Sequence, residues 1–245
     1  MEKLEENELN NKTENENFSE FESPLWKKDY WDNFYSQEIN QFKNNSSLIG
    51  EIWFGKQVQK KILNYINNTY SNNKSLKILD IGCGNAYLLL KLSKLGFAKG
   101  LYGMDYSEKS IELAREIISD KSLKYPEISA ITLFQDDLKQ PKLENFELGY
   151  KNFDFIHDKG TFDAFMSSKT NNSEEYIKYI LSISRRDSIN SVFIITSCNF
   201  SKPELISFFT QTNFILQSEI PHKTFTYGGQ IGQPVTTLIY KIVIC

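Results

Sequence analysis

Acidic side chains and glycines follow three short apolar runs in the first half of the chain. Asp80 comes just before a Gly-Cys-Gly turn at residues 82–84, Asp105 closes the second run, and Asp136 and Asp137 follow the third. Glycine lets a backbone come close to a ligand, and a carboxylate accepts hydrogen bonds from hydroxyl or amino groups. This combination indicates a binding site for a small ligand that carries such groups.

The positions of these acids match the parts of a nucleoside. Asp105 lies 25 residues after Asp80, at the end of the second run, where its carboxylate can accept both hydroxyls of a ribose. Asp136 and Asp137 end the third run, where an acid can meet the exocyclic amine of adenine. A helix after the glycine turn would add free backbone N–H groups, which suit a carboxylate.

Two other interpretations of the glycine turn remain open. A nicotinamide dinucleotide site has the pattern G-x-G-x-x-G, which would need a glycine at position 87, but that residue is Tyr87. Asp80 would also repel a pyrophosphate, whereas it could hold the amino group of a methionine moiety. The turn could instead be only a tight connection between a strand and a helix.

The elements that would position these residues alternate between strand and helix. Such alternation predicts an α/β fold, a mostly parallel sheet with helices on both faces, in which ligands bind at the carboxyl ends of the strands. The last two strand-like runs have no helix between them, so they should pair antiparallel and complete a seven-stranded sheet whose last strand is antiparallel. The predicted strands are 76–81, 101–104, 128–134, 153–156, 191–196, 214–220 and 235–244, and the predicted helices are 28–42, 57–67, 86–95, 107–118, 173–184 and 202–211.

The N-terminal part divides into a tail and the start of a single domain. Residues 1–24 hold eight Glu against two Lys, and such a segment buries too little apolar surface to order itself, so we expect an acidic disordered tail. Residues 25–245 should form one domain. Its first helix, 28–42, carries aromatic residues at helical spacing. These aromatics could form a lid over a ligand or belong to the core.

Composition excludes several classes of protein. No apolar run reaches the roughly 20 residues that span a bilayer, and the N-terminus lacks the apolar centre of a signal peptide. Three cysteines and two histidines, without a Cys-x-x-Cys pair, offer little for a disulfide framework or a zinc site. The net charge is −3, and no basic cluster is mixed with aromatics. We therefore expect a cytoplasmic protein with no metal and no direct contact with nucleic acid or membrane.

Three features together resemble the class I S-adenosylmethionine-dependent methyltransferases: DIGCGNA at 80–86, MDYS at 104–107 and the terminal strand pair. The resemblance covers about residues 50–245, and it implies a Rossmann-like sheet with S-adenosyl-L-methionine as cofactor. Ala86 departs from the glycine that many members have there, and its small size should be tolerated. In this class Asp137, and secondarily Asp136, would reach the adenine. The cofactor-binding residues that the resemblance implies are Asp80, Gly82, Cys83, Gly84, Asp105, Tyr106, Asp136, Asp137, Leu138 and Trp53.

The sequence DKGTFDA at 158–164 narrows the resemblance to one family. Together with YWDNFY at 30–35, GEIWFG at 50–55, ITSCNF at 195–200 and TFTYGGQIGQPVTT at 224–237, it is similar to the eukaryotic lysine methyltransferases of translation elongation factor 1-alpha. The resemblance implies a cytoplasmic enzyme whose partner is that protein, and we expect a monomer. The same fold could instead serve another protein or a small amine, or be a catalytically silent binding module.

Methylation of a lysine requires removal of the proton from its amine. We expect Asp158 to orient the amine and accept that proton, with Phe162 and Tyr227 as walls of the lysine channel and Asn199 at its border. The alternative role for Asp158 is to cap the turn that leads to Thr161. A strand that continued here would turn His157 to the opposite face, where it would only pack.

Overall fold

The computed structural model describes residues 23–97, 100–185, 191–210, 213–227, 230–232 and 234–243, and it describes 225–227 and 230–232 by their backbone alone. Except for its last two residues, the predicted tail at 1–24 lies outside these ranges, and so does Cys245.

Seven strands form one sheet with the order β3-β2-β1-β4-β5-β9-β6. The first five in this order run parallel, and β9 is antiparallel to both β5 and β6. The predicted sheet, with its antiparallel last strand, is confirmed. The strands are β1 (Ile78–Ile81), β2 (Leu101–Asp105), β3 (Thr132–Gln135), β4 (Phe155–Lys159), β5 (Ser191–Ser197), β6 (Phe214–Glu219), β7 (Phe225–Tyr227), β8 (Gln230–Gly232) and β9 (Thr236–Ile242).

Helices cover both faces of the sheet, as the strand–helix alternation predicts. The first four pack into one apolar core, and α6, α7 and α8 pack into another. The helices are α1 (Lys28–Asn44), α2 (Gly55–Thr69), α3 (Tyr87–Lys94), α4 (Glu108–Ser122), α5 (Leu143–Glu147), α6 (Thr161–Met166), α7 (Ser173–Ile183) and α8 (Lys202–Phe209).

Side chains along a strand alternate between these two cores. In β1, Ile78 belongs to the core under α1–α4, and its neighbours Leu79 and Ile81 belong to the core under α6–α8. Asp80 therefore lies on the α1–α4 side of the sheet. Since Asp80 is opposite His157 in the β1–β4 register, and Ile81 is opposite Asp158, the two acids lie on opposite faces.

Three local features differ from the sequence prediction. The third strand starts only at Thr132, because Pro126 opens a short 3₁₀ helix that ends at Ala130. The turn predicted at Gly160 continues into α6, since Gly160 adopts a left-handed φ of 83° that redirects the chain from β4. Strands β7 and β8 form a separate two-stranded sheet between the last two predicted strands, where no further element is predicted.

Candidate active site

A cavity of about 540 Å³ opens at the carboxyl ends of the parallel strands. This is the edge at which open α/β sheets bind ligands. Seven of the ten predicted cofactor-binding residues line it, and predicted Asn199 lies on its wall as well. The seven are Trp53, Gly82, Asp105, Tyr106, Asp136, Asp137 and Leu138. The other three, Asp80, Cys83 and Gly84, line a smaller adjoining cavity, which also includes Gly82 and Trp53.

The turn between β1 and α3 contains three residues in the left-handed backbone conformation, which favours glycine. Gly82 and Gly84 have φ values of 61° and 54°, and Ala86 adopts the same left-handed region at 57°. A Cβ on Gly82 would lie 2.0 Å from the hydroxyl oxygen of Thr161, and one on Gly84 would lie 2.9 Å from that of Tyr35. The two glycines therefore let the turn pack closely against Thr161 and Tyr35, and Ala86 takes the conformation that a third glycine would take. Gly82 also lines the cavity.

Asp105 combines a structural role with a position on the cavity wall. Its Oδ2 accepts hydrogen bonds from the Gly84 amide at 3.1 Å and the Ser110 hydroxyl at 2.7 Å, and its Oδ1 accepts one from the Ser107 amide at 3.0 Å. Burial raises the pKa of this carboxyl, and these hydrogen bonds oppose the rise. Oδ1 retains a lone pair for a further donor, which is what a ribose contact requires.

The neighbouring acids Asp136 and Asp137 differ in how many hydrogen bonds their carboxylates accept from the protein. Asp136 is buried, and its carboxylate accepts hydrogen bonds from the amides of Asp137 and Lys142 and from the hydroxyl of Tyr179. Asp137 is half-buried, and in the described part of the chain its Oδ1 accepts one hydrogen bond, from the amide of Lys139 at 2.9 Å. Asp137 is thus the acid with acceptors left for a ligand, in keeping with its predicted preference over Asp136.

Aromatic residues of α1 and of the loop before α2 form one wall. The Trp31 ring lies 5.4 Å from that of Trp53 and 6.1 Å from that of Tyr35, and all three rings line the cavity. Tyr35 is at the same time part of the core under α1–α4. The aromatics of this helix therefore line the cavity and, through Tyr35, also belong to the core, and a lid over a ligand stays a prediction.

Asp158 lies away from the cavity, contrary to its predicted position beside the amine. It is fully buried on the α6–α8 side, where Oδ1 accepts the Thr161 amide, and Oδ2 accepts the Phe162 amide and the Tyr176 hydroxyl, the last at 2.5 Å. Burial raises the pKa of this carboxyl to about 8. The arrangement is that of a helix cap and supports the alternative interpretation, in which Asp158 holds the start of α6.

Phe162 and Tyr227 are the two residues predicted to form the walls of the lysine channel. Phe162 is fully buried among the rings of Tyr176, Phe200 and Phe208 and does not line the cavity, so its place is in the core. Tyr227 lies in β7 among the residues described by backbone alone, so its predicted wall position is outside the described side chains.

Two residues of β4 have partners that sequence reasoning missed. His157, expected only to pack, places Nδ1 2.7 Å from Asp80 Oδ1, because the two residues face each other across neighbouring strands. Lys159 ends β4, donates a hydrogen bond from Nζ to the backbone oxygen of Trp53 at 3.1 Å, and lines both cavities. The strand alternation from His157 to Lys159 was the available signal, since both lie on the side of Asp80.

This fold and cavity define a Rossmann-like methyltransferase, and the model of the methyltransferase domain family matches residues 72–238. A solved S-adenosylmethionine-dependent methyltransferase from Aquifex aeolicus shares the fold, with a TM-score of 0.50 at 15% identity over 76% of this chain and 98% of that one.

Two relatives identify the family more closely. EEF1A lysine methyltransferase 2 of Danio rerio is 35% identical over 94% of this chain and 92% of its own. Protein-lysine N-methyltransferase efm4 of Schizosaccharomyces pombe is 31% identical over 90% of this chain and 95% of its own. The chain belongs to the family of these lysine methyltransferases, and the predicted resemblance is confirmed.

Proposed function

We propose that this protein transfers a methyl group from S-adenosyl-L-methionine to a lysine side chain of translation elongation factor 1-alpha. The observation that carries the proposal is a single cavity that brings together a glycine turn, Asp105, Asp137 and an aromatic wall. The names of the relatives, which are similar to this chain over nine-tenths of its length or more, supply the target.

The residues of the cavity fit an adenosyl ligand. Gly82 presents backbone atoms on the cavity wall, Asp105 retains an acceptor for the ribose, and Asp137 retains acceptors for the adenine amine. Tyr106 and Leu138 would flank the base from the ends of the same strands. When bound, S-adenosylmethionine supplies a methyl group on a positively charged sulfur, so the protein needs only to align, desolvate and deprotonate the amine.

The aromatic wall would prepare the lysine amine. Lysine has an ordinary pKa near 10.4, so only about one amine in a thousand is neutral near pH 7.4. Trp26, Trp31, Trp53 and Phe165 line the cavity, and burial against such rings lowers the pKa of an incoming lysine. Because Asp158 is bonded on the other face, we propose that the amine loses its proton to water at the cavity mouth.

We propose a monomeric domain that acts in the cytoplasm on a protein, without direct contact with nucleic acid, and a tail at 1–24 that is dispensable for catalysis. None of the helices in the described ranges is long and apolar enough to traverse a bilayer.

The test is to incubate the purified protein with tritiated S-adenosylmethionine and either purified elongation factor or a cell extract, followed by mass spectrometry of the labelled products. We expect label on a lysine of the factor, and much less with the Asp105→Ala variant. Label only on another protein of a cell extract, or only on a small amine, would contradict the proposed target. Failure to bind the cofactor or to label anything would indicate a silent binding module.

A further inference from the structure

Two half-buried residues of the 540 Å³ cavity, Trp26 and Asn171, come from segments that border α6. Trp26 ends a short 3₁₀ helix, Pro24–Trp26, which packs against α6. Asn171 belongs to the loop that joins α6 to α7. Because both residues are partly exposed to solvent and also line the cavity, they lie at its mouth.

Each of these two residues has one polar atom that is buried without a hydrogen-bond partner in the described part of the chain. For Trp26 this atom is the indole Nε1, which is a donor, and for Asn171 it is the side-chain Oδ1, which is an acceptor. A buried polar atom without a partner costs about 1 to 3 kcal/mol, and such atoms are rare in folded proteins. A ligand that brings an acceptor to the indole and a donor to the amide oxygen would remove both costs.

Hydrogen bonds to other residues hold Trp26 and Asn171 in place. The Asn171 side-chain nitrogen Nδ2 donates to the backbone oxygen of Phe165 at 2.8 Å, so a flip of the amide would turn its oxygen against that carbonyl oxygen. The backbone oxygen of Trp26 accepts the Tyr106 hydroxyl at 3.2 Å, which ties the 3₁₀ helix to the residue after β2. The unpaired donor and acceptor are therefore preorganised, which reduces the entropic cost of binding a ligand.

A lysine amine cannot supply both missing partners. An ammonium group only donates, and a neutral amine needs its one lone pair to attack the methyl group, so neither form leaves an acceptor for an indole N–H. A peptide unit carries one N–H donor and one C=O acceptor. When a lysine side chain enters the cavity, its own backbone stays at the mouth, where the donor of Trp26 and the acceptor of Asn171 lie.

We propose that Trp26 and Asn171 form a main-chain clamp for the substrate. The Trp26 indole donates to a backbone carbonyl oxygen, and Asn171 Oδ1 accepts a backbone N–H, of the segment that carries the target lysine. This inference rests on the proposed function and narrows the substrate class to a polypeptide, because a simple amine brings no carbonyl group. The segment must have backbone groups that are free of secondary structure, so the target lysine should lie in a loop or at a strand edge.

Steady-state kinetics with the intact elongation factor test the main-chain clamp. Trp26→Phe keeps an aromatic ring and removes the N–H, and Asn171→Ala removes the acceptor. Each variant should raise KM for the factor by about threefold to tenfold, the usual effect of losing one neutral hydrogen bond, and leave kcat unchanged. The affinity for S-adenosylhomocysteine, measured by calorimetry, should also stay the same, which shows that each variant is folded.

Asn172→Ala is the matched control. Asn172 is the exposed neighbour of Asn171, and its Oδ1 caps α7 by accepting the Glu175 amide at 3.0 Å. Loss of this cap should lower the stability of the protein and leave KM unchanged.

Unchanged KM in Trp26→Phe or in Asn171→Ala, or an equal rise in the control, would overturn the main-chain clamp while leaving the proposed function intact. A fall in kcat or in S-adenosylhomocysteine affinity would also overturn it, because the residue would then act on the amine or on the cofactor. Failure of the unmodified protein to methylate the factor would refute the proposed function and the clamp with it.

Discussion

Asp80 and Asp158 lie at the ends of neighbouring strands, one residue apart in register, yet they have different surroundings. Asp80 faces the α1–α4 side, where His157 fixes one oxygen and the other borders the small cavity. Asp158 faces the α6–α8 side, where two amides and the Tyr176 hydroxyl occupy both oxygens. The phase of the strand, and not the type of side chain, decides which carboxylate is available to a ligand and which one stabilises the fold.

The largest effect should come from removing the core carboxylate. Asp158→Ala would leave a buried tyrosine hydroxyl and two backbone amides without their acceptor. We expect the free energy of unfolding, measured with urea, to fall by about 3 kcal/mol. The folded fraction should still bind S-adenosylhomocysteine with its normal affinity. A loss of affinity without a loss of stability would instead return Asp158 to the active site.

Gly82 lies between the two regions, and its replacement should affect both stability and binding. In Gly82→Ala the new Cβ would lie 2.0 Å from Thr161 Oγ1 with φ at 61°, so we expect a loss of about 2 kcal/mol in unfolding free energy together with weaker cofactor binding. Gly96→Ala is the control, because it shares the positive φ but has open space around it. It should cost about 1 kcal/mol and leave binding unchanged. Equal effects of the two variants would show that the tight turn is unimportant.

Removing a cavity carboxylate should change binding more than folding. Asp137→Ala loses one hydrogen bond to the Lys139 amide at the half-buried edge of the cavity, so its stability should change little. We expect its affinity for S-adenosylhomocysteine, measured by calorimetry, to fall by about tenfold through loss of the adenine contact. Unchanged affinity would contradict the proposed position of the adenine beside Asp137, at the end of β3.

The last effect depends on pH. The folded-state pKa of Asp158 is about 8 and its ordinary value is 3.8, so the folded protein keeps a proton that the unfolded chain releases. Stability from this group is therefore full below about pH 4 and is lost as pH rises toward 8, by at most about 1.4 kcal/mol per pH unit. Asp158→Asn removes this dependence. Its stability relative to the unmodified protein should rise between pH 6 and pH 8, and parallel pH profiles would refute the assignment.

Sequence patterns were sufficient for the sheet and for most of the cavity. Short apolar runs that end in Asp80, Asp105 and Asp137 identify strand ends, because acids rarely end a buried strand without a partner or a ligand. Spacing along the chain does not give the phase of β4, which requires the register against β1. For this reason the sequence analysis places Asp158 beside the substrate amine, whereas in the structure its side chain points into the core under α6–α8.

The small cavity was beyond sequence reasoning for a different reason. Gln59 and Lys159 are 100 residues apart and come together only through packing of α2 beside the end of β4. A glutamine in an amphipathic helix has no local pattern that distinguishes a cavity wall from an ordinary solvent-facing position. The burial of its side-chain nitrogen without a partner among the described residues becomes visible only in three dimensions.

A crystal structure with S-adenosylhomocysteine tests the central claim most directly. We predict the adenine beside Asp137, the ribose on Asp105 and the amino-acid group on the Asp80 side of the sheet, with Asp158 still bonded to Tyr176. A ligand bound outside this cavity, or in contact with Asp158, would contradict this account.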